Sequence, residues 1–203
     1  MAEKDFQSEI SRSCRATGLG EFYKIPDQPV TQMTRSRFTE HKPFDCWWAV
    51  KDRWIAMELK QKRGLSLNIG DKGDLRQHQE AILLELERLG HLGLVLVNFQ
   101  HRFPPYKAAK LGIEMIDRAF AVSIGRLVAA RTDLCSDSIP LDWWEKYAVE
   151  LVQTRVDGAR GWDVEAIANK FYSSDSIAWE LHKKTVKRAI DLLSEDTWPV
   201  VTQ

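Results

Sequence analysis

Asp45 is followed by twelve residues and then by Glu58-Leu59-Lys60, a spacing that can bring two carboxylates and an amine to one point. Such a group can hold a divalent cation, activate water and neutralise a phosphate, which is what cleavage of a phosphodiester requires. The residues between read as a hairpin, with Asp45–Val50 as one strand, Lys51-Asp52-Arg53 as a tight turn and Trp54–Lys60 as the return strand. Side chains two apart on a strand share a face, so Glu58 and Lys60 point the same way. Asp45, opposite them near the open end of the hairpin, converges on the same point. Asp45 and Glu58 are the expected ligands of Mg²⁺, with the Leu59 carbonyl as a third oxygen. Lys60 would orient water or stabilise the pentavalent phosphate. Glu-x-Lys is a common triplet and can fall at this spacing by chance. Against that, Trp54-Ile55-Ala56-Met57 reads as a core strand, where charges are costly unless paired or bound to metal.

The elements that must position these groups follow from periodicity. Phe6, Ile10 and Cys14 lie about one turn apart and predict a helix over 3–16, stopped by Gly18 and Gly20. Glu21–Ile25 reads as a short strand, and a polar connector carrying Arg35 and Arg37 leads to the hairpin. Residues 61–70 read as a loop with some strand character. Ala81, Ile82, Leu83, Leu86 and Leu89 predict a helix over 75–89, closed by Gly90 and Gly93. Leu94–Phe99 reads as a buried strand, His101–Tyr106 as a turn, Lys107–Ile116 as a short helix and Ala119–Ile124 as another strand.

This order predicts an α/β fold, a mixed sheet flanked by helices. Ser138-Ile139-Pro140 marks the expected boundary between a core over 1–138 and a helical C-terminal extension over 139–203. Helices are expected there over 141–152, 164–171 and 177–193. The last two resemble a helix-turn-helix, the second bearing His182, Lys183, Lys184, Lys187 and Arg188. An amphipathic helix with its basic residues in solvent is the preferred reading of that pattern.

Lys and Arg together number 29, as do Asp and Glu, so no global field draws the chain to a polyanion. The charge is nevertheless uneven. Arg35, Arg37, Lys62, Arg63 and Lys72 crowd the region around Glu58 and are the candidate DNA phosphate contacts, although each alone is an ordinary solvated charge. No stretch has the ~18 apolar residues of a membrane span, and the N-terminus is too polar for a signal peptide. Cys14, Cys46 and Cys135 follow no pattern and are expected as reduced thiols in a cytoplasmic setting. No Cys/His set has zinc spacing, and no glycine-rich phosphate loop suggests a nucleotide cofactor.

Glu9 in the first helix, Pro43-Phe44-Asp45, Glu58-Leu59-Lys60 and His78-Gln79 opening the next helix resemble the PD-(D/E)xK nuclease superfamily. The nearest pattern is the RecU-type Holliday-junction resolvase, and the resemblance spans roughly residues 3–125. It implies a restriction-endonuclease-like sheet and catalytic roles for Asp45, Glu58, Lys60, Gln79 and Glu9. Asp45 and Glu58 would bind Mg²⁺, with Mn²⁺ able to substitute, and Gln79 would sit beside the metal or its water. The chain departs from that family in carrying Lys42-Pro43-Phe44 where the family has a threonine-rich run. The segment before Asp45 is also short for that family's junction-entering stalk.

The activity so implied is metal-dependent, structure-selective cleavage of branched DNA by paired nicks, which a twofold homodimer provides most simply. The rivals are a restriction or repair endonuclease on duplex DNA and a non-catalytic DNA-binding protein.

Overall fold

Leu92–Val97 are buried without interruption, as expected for a strand covered on both faces. A computed structural model describes residues 3–26, 42–50, 53–101 and 116–172, and places this run at the centre of a mixed six-stranded sheet. Of the expected turn Lys51-Asp52-Arg53 and the expected helix Lys107–Ile116 only Arg53 and Ile116 are described, and each begins a strand; the helix at 177–193, Arg35 and Arg37 lie outside the described residues.

The first element is α1 (Glu3–Ala16), whose Phe6, Ile10 and Cys14 are buried, as their spacing predicts. It ends where Gly18 takes a positive φ of 64°. Then come β1 (Gly20–Lys24), β2 (Cys46–Val50), β3 (Arg53–Lys62) and the short β4 (Ser66–Asn68). Next are α2 (Gln77–Arg88), β5 (Leu92–His101) and β6 (Ile116–Ser123). The sheet runs β1-β2-β3-β5-β6, with β3 and β5 parallel and the other neighbours antiparallel. A parallel pair needs a long crossover, and α2 supplies it.

The α/β class and the sheet between helices agree with expectation, but the region after Ala119 differs in three ways. Ile124 does not extend the strand. It opens α3 (Ile124–Asp133), capped by the Ser123 hydroxyl. Ile124, Leu127 and Val128 are buried at helical spacing, a pattern present in the sequence and not assigned there.

Second, the helix expected over 141–152 stops early. After β7 (Ser138–Pro140), α4 (Leu141–Tyr147) gives way at Ala148 to extended backbone. Then β8 (Val149–Leu151) joins the open edge of β6. Val149-Glu150-Leu151 alternates with period two, and an unpaired strand edge gives that alternation a partner.

Third, β9 (Gln153–Val156) and β10 (Ala159–Trp162) form a hairpin turned by Asp157-Gly158, both at positive φ, ahead of α5 (Glu165–Tyr172). Asp-Gly is the preferred pair for such a turn. Residues 149–162 are thus strands rather than helix. Residues on both sides of Ser138–Pro140 share one sheet.

Two apolar layers cover the sheet. On one face α1, β10 and α5 pack on Trp48, Met57, Leu59, Leu94 and Leu96. On the other, α2, α3 and α4 pack on Ala56, Val95, Val97, Phe120 and Val122. Alternation along β3 assigns Met57 and Leu59 to the first face, and therefore Glu58 and Lys60 to the second.

The approach of α2 to the sheet is set by Gly93, where an added Cβ would meet the Leu83 carbonyl oxygen at 2.5 Å. Gly93→Ala is expected to push α2 off β5 and to cost about 1–3 kcal/mol, as overpacking does. The urea midpoint should fall with the m-value unchanged. An unaltered midpoint would contradict this packing.

Candidate active site

Asp45 is fixed by its backbone before its side chain acts. Its N–H donates to the Met57 carbonyl at 3.1 Å, and its carbonyl accepts from Ile25 N–H at 2.9 Å. That pins the residue between β1 and β3. Its Oδ2 then accepts from the Leu59 N–H at 2.9 Å, and Oδ1 lies 2.9 Å from Lys42 Nζ. The first acid is therefore bonded to the residue that follows the second acid.

Glu58 projects from β3 and is almost wholly buried, at 1% exposure. Its Oε1 lies 2.6 Å from both Lys60 Nζ and Gln79 Nε2. Burial pushes the Glu58 carboxyl up to about 7, Asp45 pushes in the same direction, and Lys60 and Gln79 oppose them. Asp45, Glu58, Lys60 and Gln79 thus meet, with Lys42, Arg76 and His78, around a cavity of about 290 Å³.

Gln79 stands on the first turn of α2, and its orientation is fixed by chemistry. Its Oε1 accepts from Arg76 N–H at 3.1 Å, one of the donors a helix start leaves unpaired. Exchanging the amide atoms would set a donor against a donor at Arg76 and an acceptor against the Glu58 carboxylate. The amide nitrogen therefore faces Glu58, and the oxygen, the atom able to ligate a hard cation, is committed to the backbone.

The donor set has the chemistry for Mg²⁺. It offers two carboxylates and a neighbouring backbone carbonyl, and Mg²⁺ is commonly held by one or two carboxylates with several waters kept. Glu58 Oε2 is buried and finds no hydrogen-bond partner, as expected of an oxygen that a cation would satisfy. Among the described residues no group of three or more His, Cys, Asp or Glu side chains gathers to hold a metal. The residues fit a cation bound by few protein ligands.

The remaining expected residues are placed elsewhere. Glu9 accepts from the Trp162 indole N–H at 2.8 Å and lies 3.3 Å from Arg160 Nε. It ties α1 to β10 and does not line the cavity. Lys62 continues the face of Glu58 and Lys60 but is paired at 2.7 Å with Asp74, which also accepts from Asn68 N–H. Arg63 and Lys72 are exposed on the loops around β4. Lys42 and Arg76, which line the cavity, were not among the candidates; Lys42 lies three residues before Asp45, the nearest signal for it.

No protein-family model and no curated protein matches the chain.

The Glu58 environment has a consequence for stability. The folded chain keeps a proton on Glu58 up to pH about 7, whereas an unfolded carboxyl loses it near 4.5. Between these values the unfolded chain binds fewer protons, so stability falls as pH rises through that window. Glu58→Gln removes this dependence. Without divalent metal, unfolding free energies should shift in favour of the variant by roughly 3 kcal/mol between pH 4 and pH 8. Urea unfolding in EDTA reads this directly, and a difference independent of pH would refute it.

Proposed function

We propose that the chain is a metal-dependent DNA endonuclease that makes paired nicks in branched DNA, acting as a homodimer in a cytoplasmic setting. The observation that carries the reading is the meeting of Asp45, Glu58 and Lys60 around one cavity on one face of the sheet. The order of α1, the β1-β2-β3 meander, the α2 crossover and parallel β5 also suits a restriction-endonuclease-like fold. No helix among the described residues is long and apolar enough to cross a membrane.

Asp45 and Glu58 would hold Mg²⁺, or Mn²⁺ in its place, with the Leu59 carbonyl nearby. When bound, the cation supplies Lewis acidity towards phosphate oxygens and water. The chain's own residues do the rest. Lys60 places a positive charge beside Glu58, where it can orient water and offset the charge that grows on the phosphate. Lys42 fixes the rotamer of Asp45, and Gln79 fixes Glu58 from α2. Arg76 and His78 line the same cavity and face the incoming backbone as polar groups.

Asp45→Asn and Lys60→Ala are expected to abolish Mg²⁺-dependent nicking while leaving affinity for a four-way junction nearly intact. A nicking assay across branched, flapped and linear DNA, with Mg²⁺ and with EDTA, tests both the reaction and the preference for branches. Equal loss of binding and cutting in these variants would remove the assigned catalytic roles. Calorimetric titration with Mg²⁺ that shows no binding, and no change on Asp45→Ala, would favour a non-catalytic DNA-binding protein.

A further inference from the structure

On the opposite face of the sheet from Glu58, a second cavity of about 520 Å³ runs along α1. It is lined by Ser8, Ser11, Arg12 and Arg15 of α1, by Lys24 at the end of β1 and by Asp157 of the β9–β10 turn. The spacing of the four α1 residues puts them on one stripe of the helix. From Ser8 to Arg15 the stripe covers about 10 Å, at about 1.5 Å per residue.

Three cations face one acid in this groove. Among the described residues Arg12, Arg15 and Lys24 make no ion pair, in a chain whose charges otherwise balance. Two of the cations are held in place by other means. Arg12 Nη1 donates to the Arg160 carbonyl at 2.6 Å, and the Arg15 guanidinium lies 5.9 Å from the centre of the Phe22 ring. Lys24 shares a face with buried Phe22, hence with α1.

The groove also has a fixed relation to the candidate active site. Lys24 pairs in register with Cys46, and the next residue, Ile25, bonds Asp45. The cationic groove and the cavity around Asp45 therefore meet at the same end of the same sheet, on opposite faces. Among the described residues β1 is the edge strand on that side of the sheet. A straight duplex lies against one face of such an edge; DNA that branches or turns sharply can reach both.

We infer that this groove binds the phosphate backbone of a second DNA segment, distinct from the one presented to Asp45 and Glu58. The inference rests on the reading of the chain as a DNA-binding endonuclease. Guanidinium and ammonium groups with serine hydroxyls are the donors that phosphate oxygens accept. A stripe of about 10 Å matches three rises of a nucleic-acid strand at about 3.4 Å each.

The test uses the full chain with Arg15→Glu and Lys24→Glu combined, and the milder pair Arg15→Gln and Lys24→Gln. Both positions are exposed, so the fold should tolerate either change. Binding is measured by fluorescence anisotropy in EDTA, on a four-way junction and on linear duplex of the same sequence, over a range of salt. The charge-reversed pair should lose at least tenfold in junction affinity, with linear duplex altered by less than twofold. The neutral pair should show a salt slope for the junction shallower by about two, as expected when two phosphate contacts are lost. Unchanged junction affinity and slope, or equal losses on junction and duplex, would overturn the inference. Nicking by the wild-type chain is scored separately. If it nicks nothing with Mg²⁺ while the groove variants still lose junction binding, the nuclease reading fails and the groove stands.

Discussion

A carboxylate at 1% exposure is the constraint around which the rest of the site is arranged. Removing Glu58 from water carries a desolvation cost of several kcal/mol, which only close partners offset. Those partners come from two directions. Lys60 lies two residues on along the same strand, so the strand's own pleat delivers it. Gln79 comes from α2, and its position depends on the crossover between the parallel strands β3 and β5. Asp74 helps to set the entry to that helix. It bonds Asn68 N–H and Lys62, while Leu75 and Asp74 N–H groups donate to the Asn68 carbonyl. The geometry around Glu58 thus depends on the sheet, the loop and the helix start together.

The opposite face solves a related problem without leaving a reactive oxygen. Glu9, Arg160 and Asp117 form a chain of charges, with Arg160 bonded to Asp117 at 2.6 and 2.8 Å and set against Glu9. Every member has an opposite charge beside it, and the network joins α1, β6 and β10. Arg118 does similar work on the other face, where it reaches Glu145 and Glu150 and ties α4 and β8 to β6. Glu87 shows a third solution. It is wholly buried, burial drives its carboxyl well above the ordinary range, and it accepts from Gly125 N–H at the start of α3. Burial is opposed there by the backbone N–H groups of Gly93, Ile124 and Gly125, so the carboxyl joins α2 to the start of α3. These contrasts mark Glu58: among the described residues it joins a buried, unpartnered oxygen to a neighbouring acid and an open cavity.

The parts of this arrangement visible in the sequence are those that depend on local period. The β2–β3 hairpin, the shared face of Glu58 and Lys60 and the α2 pattern all follow from spacings of two or about 3.6. Arg76 and Lys42 were harder to see, since their roles come from how the chain path brings short segments beside Asp45 and Glu58. The family resemblance gave Glu9 a catalytic role. Its carboxylate instead answers the indole N–H of Trp162, a residue 153 positions away, and no local pattern could have announced that contact. The C-terminal strands were a different failure. Asp157-Gly158 and the alternation of Val149-Glu150-Leu151 were legible signals, outweighed by the apolar content of 141–152. The Ser123 cap followed by Ile124, Leu127 and Val128 was equally legible.

On the proposed reading, local charge would let a chain of zero net charge serve a polyanion. Around the cavity Asp45 and Glu58 contribute two negative charges when both are ionised, and Lys42 and Lys60 contribute two positive ones. Arg76 adds a further positive charge at the rim. The site is therefore close to neutral before any ligand enters, so an approaching phosphate meets little repulsion from the two acids. Under the proposed reading a divalent cation would add two positive charges and a phosphate one negative, leaving a small surplus to offset charge that grows on the phosphate. The α1 groove differs in kind: its three cations are opposed by one acid, and no buried carboxylate lines it, as the proposed backbone contact would require. The division between a nearly neutral, acid-bearing cavity and an electropositive, acid-poor groove has two sources: alternation along β3, which turns Glu58 and Lys60 to one face, and α1, which carries Arg12 and Arg15 over the other.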